Sequence, residues 1–206
     1  MKITKFEESE AWLGARLGKI TGTRLKDIVV KRGTGKKIGF YELIAERIAI
    51  PPDGENRMER GQRLEDEALD RFEKETGKKV NRELVIWERD DNAAIAVSPD
   101  GTIDDAVIPE SEAVECKCLS SARHIEAYLT QEVPDEFKMQ TYQYFIVNDR
   151  LTTLHVVFYD PRISVKDYFV LEVKRADIMD EVTEYLEYER KTLEEVNEIV
   201  LSLIKF

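Results

Sequence analysis

The segment SPDGTIDDAVIPESEAVECKCL occupies residues 98–119. Two short apolar or alternating runs lie in it, 101–107 and 113–119, and the turn residues around them predict strands. Side chains alternate between the two faces of a strand, so Glu115 and Lys117 point one way and Cys116 and Cys118 the other. A carboxylate and an ammonium therefore stand side by side on a strand otherwise made of Ala, Val, Cys and Leu. Burying part of such a pair costs desolvation, which calls for a functional explanation. Asp100 opens the neighbouring strand and can bring a second carboxylate to the same spot.

The pattern on either side completes a fold. Residues 80–87 and 93–98 read as further strands before this segment, and 151–159 and 167–174 as strands after it, with helices near 121–131 and 135–147. The last thirty residues, about 177–206, form an amphipathic helix with Ile178, Val182, Tyr185, Leu193, Val196, Val200 and Leu203 on one side. Towards the N-terminus, a helix over about 56–76 carries Leu64, Ala68 and Phe72 at four-residue spacing, and Gly77 stands where a left-handed cap belongs. An apolar helix through Phe40, Leu43, Ile44 and Ile48 precedes it and stops at Pro51-Pro52. A Gly- and Lys-rich loop spans 31–39, and Trp12 to Val30 is helical in parts. Helices, a strand meander, then helix and strand again predict an α/β (α+β sandwich) architecture. No repeat or Pro/Ser-rich linker divides the chain, so one domain over 1–206 is expected.

The net charge of −11 in 206 residues argues at first against a nucleic-acid partner. Distribution matters more than the sum. Residues 12–37 carry Arg16, Lys19, Arg24, Lys26, Lys31, Arg32, Lys36 and Lys37 against Asp27 alone, whereas Asp177 to Glu198 has the opposite excess. No run of about 18 apolar residues is present and the N-terminus lacks a signal-like apolar core, so a cytoplasmic protein is expected. Two cysteines are too few for a disulfide framework.

Chemically, two carboxylates with further oxygen donors suit Mg²⁺, which prefers hard ligands and keeps several waters. A lysine beside them can orient, or help deprotonate, a water that attacks phosphorus, which describes a phosphodiester-hydrolysing site. An Asp-Gly turn next to an exposed Glu-x-Lys strand is the plain structural alternative.

Six segments in order extend the pattern: Trp12-x3-Arg16-x-Gly18 leading to Thr21-Gly22-Thr23, Arg60-Gly61-x3-Glu65-x2-Ala68, Ser98-Pro99-Asp100-Gly101, Glu115-Cys116-Lys117-Cys118, Gln140-x2-Gln143 and Tyr159-Asp160-Pro161-Arg162. With them the chain resembles the phage lambda exonuclease, or YqaJ-like viral recombinase, family of the PD-(D/E)xK nuclease superfamily, over roughly residues 10–175. The resemblance implies a restriction-endonuclease-like core, a central mixed β-sheet flanked by helices. It divides the chain into a DNA-end-binding part (about 1–55), a nuclease core (about 56–175) and the acidic C-terminal helix.

The resemblance also assigns roles. Asp100 and Glu115 match metal-ligand carboxylates, with the backbone carbonyl of Cys116 as another oxygen, and Lys117 matches the catalytic lysine. Glu65 matches a helix glutamate serving a second Mg²⁺. Asp90, ten residues before Asp100, matches a further aspartate near the metals, or is a turn residue. Gln140 matches a glutamine orienting water or phosphate, whereas Gln143 departs by one position from the usual Gln-x-Gln. Arg16 and Thr23 match residues that hold the DNA phosphate near the cut. Trp12 lies beside the DNA path or in the core, and Lys31, Arg32, Lys36 and Lys37 resemble a basic loop receiving a 5′-phosphate.

The activity implied by the resemblance is that of a two-metal DNA exonuclease, Mg²⁺-dependent with Mn²⁺ able to substitute. It would digest linear duplexes 5′ to 3′ and leave 3′ single-stranded tails for phage-type recombination. A homotrimeric ring, a single-strand annealing protein as partner and a phage or prophage origin go with it. A PD-(D/E)xK endonuclease and an inactive DNA-binding module are the alternatives. His124 and His155 lack partners at ligand spacing and read as surface and sheet residues, and no further cysteine completes an iron–sulfur cluster with Cys116 and Cys118.

Overall fold

The computed structural model describes residues 1–30, 37, 39–40, 43, 59–104, 106, 108–119, 121–161, 163 and 165–204, of 59–63 and 121–122 the backbone alone. The basic residues Lys31, Arg32 and Lys36, the stop at Pro51-Pro52, most of the helix expected through Ile48, and Arg162 lie outside the described residues. Among those described, the strands are β1 (Lys2–Phe6), β2 (Val80–Asn81), β3 (Leu84–Arg89), β4 (Asn92–Val97), β5 (Gly101–Ile103), β6 (Glu112–Lys117), β7 (Thr153–Tyr159) and β8 (Tyr168–Lys174). The helices are α1 (Ser9–Ala15), α2 (Gly22–Ile28), α3 (Glu59–Thr76), α4 (Ser121–Thr130), α5 (Asp135–Val147) and α6 (Met179–Leu203).

The expected central mixed sheet flanked by helices is present: five strands in the order β2-β5-β6-β7-β8. Its middle pair, β6 and β7, is parallel from Glu112↔Thr153 to Lys117↔Phe158, and the other pairs are antiparallel. A parallel pair needs a long crossover, supplied here by α4 and α5. Strand alternation then divides the core. Val114, Cys116 and Val157 face α3, where Ala68, Leu69 and Phe72 cover them. Ala113, Leu154, Val156 and Phe158 lie in a larger cluster with Tyr144, Phe145 and Ile146 of α5 and Val182, Leu193 and Val196 of α6. Burying one such side chain is worth about 1.5–3 kcal/mol.

Several expectations are corrected. The strand expected over 80–87 is two strands in two sheets: β2 pairs with β5, whereas β3 joins β1 and β4 in a three-stranded antiparallel sheet. Between them the Asn81 side chain accepts the Glu83 amide at 2.9 Å, and Arg82 turns out to Asp70 and Glu73 of α3, each at 2.7 Å. That local turn competes with strand hydrogen bonding, which an apolar-run count does not register. Among the described residues of the run 101–107, strand covers Gly101–Ile103. The last helix begins after a 3-10 turn over Arg175–Asp177, and Leu203 is 47% exposed, off its apolar stripe. Gly77 does take the left-handed conformation, with φ +72°.

Arg175 fixes the crossover's end. Its guanidinium donates to the carbonyls of Phe145 (2.8 Å) and Asn148 (2.5 Å), left open at the C-terminal end of α5, and to that of Leu151 (2.7 Å) in the following loop. The helix is thereby held in register above β6.

Candidate active site

The site forms where β6 outruns its neighbour. The β5–β6 ladder pairs Thr102 with Ala113 and Gly101 with Val114. Just beyond it, Asp100 Oδ2 accepts the backbone N–H of Cys116 at 2.7 Å. The side chain replaces the missing strand and brings Asp100 beside Glu115, as the adjacent-strand expectation required.

Glu115 and Lys117 share the face under α5 and are 4% and 8% exposed. Lys117 Nζ donates to Glu115 Oε1 at 2.5 Å and to Gln140 Oε1 at 2.8 Å. Gln140 Nε2 donates to Glu115 Oε1 at 2.5 Å. The amide orientation is self-consistent: an ammonium only donates, so the amide oxygen faces Lys117 and the NH₂ faces the carboxylate. The Tyr144 hydroxyl donates to Glu115 Oε2, and the Lys117 ammonium sits 4.6 Å from the Phe137 ring centre.

The electrostatics show a concentration of negative charge. Burial, with Glu115 and Glu65 nearby, pushes the Asp100 carboxyl well above its ordinary range. Burial and Glu115 push Glu65 up as well. Burial alone would lower Lys117, but Glu115 and Asp100 outweigh it and hold the ammonium above its ordinary range. Burial pushes Tyr144 and the Cys116 thiol well up, and Cys118 up to about 12, so neither thiol is a nucleophile here.

Asp100, Glu115, Lys117, Phe137 and Gln140 line a cleft of about 730 Å³ together with Trp12, Arg16, Thr23 and Glu65. Arg16 stacks on Trp12, its guanidinium carbon 4.5 Å from the ring centre, while Trp12 Nε1 donates to Val85 O at 3.3 Å. Trp12 is thus half-buried and on the cleft wall at once. Burial lowers Arg16, with Glu115 opposing. Among the described residues no carboxylate pairs with Arg16 within 4.0 Å, and its guanidinium has the fork geometry that suits an anion. The sequence-derived candidates Asp100, Glu115, Lys117, Glu65, Gln140, Arg16, Thr23 and Trp12 therefore meet in one place.

Others do not. Asp90 is exposed at the turn between β3 and β4, pairs with the Met1 amine, and lines a separate recess with Arg89, Asp91 and Asp149. The turn placement is the observed one. Lys37 is exposed and donates to Lys26 O at 3.0 Å, off the cleft lining. Gln143 is fully buried and ties Ile20 O (3.1 Å) to Glu189 (3.3 Å). His124 is not a surface residue: it is 1% exposed, bonded to Lys166 O and edge-on to Phe169. His155 is in the sheet as expected, at 2.7 Å from Glu112. Tyr144 and Phe137 were missed, although a helix over 135–147 with Gln140 at the site places residues 137 and 144 on the same face.

The donor set fits a divalent cation. Among the described residues no three acidic, Cys or His side chains already converge as a closed cage. Two carboxylates, the Cys116 carbonyl and Glu65 at the rim instead suit an ion that keeps waters and takes phosphate oxygens.

Comparison with known proteins bears on the family and the fold. The model of the YqaJ-like viral recombinase domain matches residues 11–155. The crystal structure of an alkaline exonuclease from Laribacter hongkongensis superposes with a TM-score of 0.77 at 26% identity, covering 95% of this chain and 96% of that one. A structure of that exonuclease in complex with dAMP matches equally well. No curated protein matches the sequence.

Proposed function

The chain belongs to the YqaJ-like viral recombinase domain family, and from that premise we propose a Mg²⁺-dependent DNA exonuclease that digests linear duplexes 5′ to 3′. The observation that carries the proposal is the cleft in which Asp100, Glu115 and Glu65 crowd around Lys117, with Arg16 on the same lining. Fold and sequence similarity to an alkaline exonuclease support it. So does that exonuclease's complex with dAMP, since a mononucleotide is what end-wise hydrolysis releases.

Asp100, Glu115, Glu65 and the Cys116 carbonyl would hold Mg²⁺, two ions in the full complement, with Mn²⁺ able to substitute. Bound there, the metal supplies an activated water and stabilises the entering and leaving oxygens. Lys117, held by Glu115 and Gln140, would orient the attacking water or a phosphate oxygen, or help deprotonate that water. Gln140 fixes the Lys117 ammonium and the Glu115 carboxylate relative to each other. Arg16 and Thr23 take the phosphate backbone, Arg16 through a bidentate contact that its stacking on Trp12 orients. A 3′ single-stranded tail, a homotrimeric ring, a 5′-phosphate contact from the basic segment, and hand-over to a single-strand annealing protein complete the proposal.

The test is digestion of linear duplexes, with and without a 5′-phosphate, against closed circular DNA, in Mg²⁺ and in EDTA. Loss of linear DNA only, requiring Mg²⁺, faster with the 5′-phosphate and at least about 10²-fold slower in Lys117→Ala, is expected. Cutting of the circle would replace the exonuclease with an endonuclease. Retained DNA binding without cleavage in any condition would leave a DNA-binding module.

A further inference from the structure

A carboxylate offers about four lone-pair directions. For Glu115 three are taken among the described residues. Oε1 receives Lys117 Nζ and Gln140 Nε2, both at 2.5 Å, and Oε2 receives the Tyr144 hydroxyl. The same hydroxyl is 3.5 Å from Ser98 O, too long to compete for its one proton. Tyr144 has little freedom to withdraw: it is fully buried, and its ring meets the equally buried Trp87 edge-on at 6.4 Å. One direction on Oε2 remains. Asp100, by contrast, spends a single direction among the described residues, on the Cys116 amide.

We propose that Tyr144 and Gln140 are positioning residues that confine Glu115 to one single-oxygen bond with a cation and thereby make the cleft prefer Mg²⁺ to Ca²⁺. This rests on the metal-dependent reading of the cleft. Mg²⁺ takes six ligands at short distances and needs only one oxygen from each carboxylate. Ca²⁺ takes six to eight and gains from carboxylates that chelate through both oxygens or turn to meet it. With Oε1 saturated by two donors, chelation by Glu115 is closed. With Oε2 pinned by Tyr144, the carboxylate cannot rotate to open it. In hydrogen-bonding terms Glu115 is three-quarters spent.

Calorimetric titration of the full chain with Mg²⁺ and with Ca²⁺, without DNA, tests this in the wild type, Tyr144→Phe and Gln140→Met. Each variant removes one donor to Glu115 and keeps the bulk of the side chain, and Gln140→Met also removes the acceptor of Lys117 Nζ. The ratio of Ca²⁺ to Mg²⁺ affinity is expected to rise in both by roughly two- to tenfold, the worth of one hydrogen bond. Loss of packing alone would weaken both ions together and leave the ratio unchanged. An unchanged ratio in both variants, with melting curves showing them folded, overturns the proposal. A shift in Gln140→Met alone removes Tyr144 from it. Should Tyr144→Phe not fold, the half-exposed Gln140 still decides the matter. Binding of neither ion by the wild type would instead overturn the metal-dependent reading, and this proposal with it.

Discussion

Gly22 shows how closely the site is built at the level of single residues. A Cβ there would lie 2.9 Å from Gln140 Cγ, with the Gln140 carbonyl oxygen at 3.4 Å and its Cα at 3.6 Å behind it. The first residue of α2 therefore holds the Gln140 side chain against Glu115 and Lys117 simply by having no side chain. Gly22→Ala is expected to cost about 1–3 kcal/mol as an overpacked contact and to slow DNA digestion by displacing the Gln140 amide. In a Gln140→Ala background the clash has no target, so most of the stability cost should disappear. Urea denaturation of the four proteins of that cycle measures the coupling, and additive losses would refute the contact's role. The sequence exposed Asp100, Glu115 and Lys117 because strand alternation is a strict rule. It hid Tyr144 because α5 is buried on several sides, Thr141, Gln143, Tyr144, Phe145, Ile146 and Val147 among them. No apolar stripe marks which side chains turn to the site.

At the level of elements, the least legible feature is how α6 docks. Its apolar spacing predicted Val182, Tyr185, Leu193 and Val196, all buried, but not Glu189, which is fully buried between them. Glu189 Oε2 accepts from Gln143 Nε2 at 3.3 Å, and Oε1 has no partner among the described residues. Burial pushes this carboxyl well above its ordinary range. In the unfolded chain it loses its proton in the ordinary carboxylate range; in the fold it keeps it. Between the two pKa values the folded state carries the extra proton, so stability falls as pH rises through that window. Glu189→Gln keeps the acceptor for Gln143 and cannot ionise. It is expected to melt above the wild type at pH 8, with the gap closing as pH falls towards 4. A gap independent of pH would show that the carboxyl does not titrate differently on folding. Strands and helices were legible where periodicity was unbroken, as in β6, β7 and α5. The break at Arg82-Glu83 was not, because an Asn side chain and a set of ion pairs to α3 decide it.

Taken whole, the molecule places part of the acids behind its net charge of −11 in the cleft and part of them on an exposed helix face. Asp180, Glu184, Glu187, Glu194 and Glu198 are exposed along α6, whereas Trp12, Arg16 and Thr23 line the cleft. Not every basic residue near the N-terminus serves the cleft: Lys19 is spent on Glu88 at 2.9 Å and on Ala93 O at 3.1 Å. Arg16→Met should weaken binding of linear duplexes of any sequence and flatten the log–log salt dependence by about one unit, the signature of one lost phosphate contact. An unchanged slope would remove Arg16 from the backbone path. The charge division was readable from the sequence; which cations reach the cleft was not, since that depends on the sheet edges each faces. The Cys116 amide, held by the Asp100 carboxylate instead of a neighbouring strand, carries a proton that is a built-in spectroscopic gauge. A cation that draws on Asp100 must alter the resonance and exchange rate of that amide. Occupancy of the cleft could then be followed in solution from one nitrogen-15 signal, with no substrate and no catalysis required.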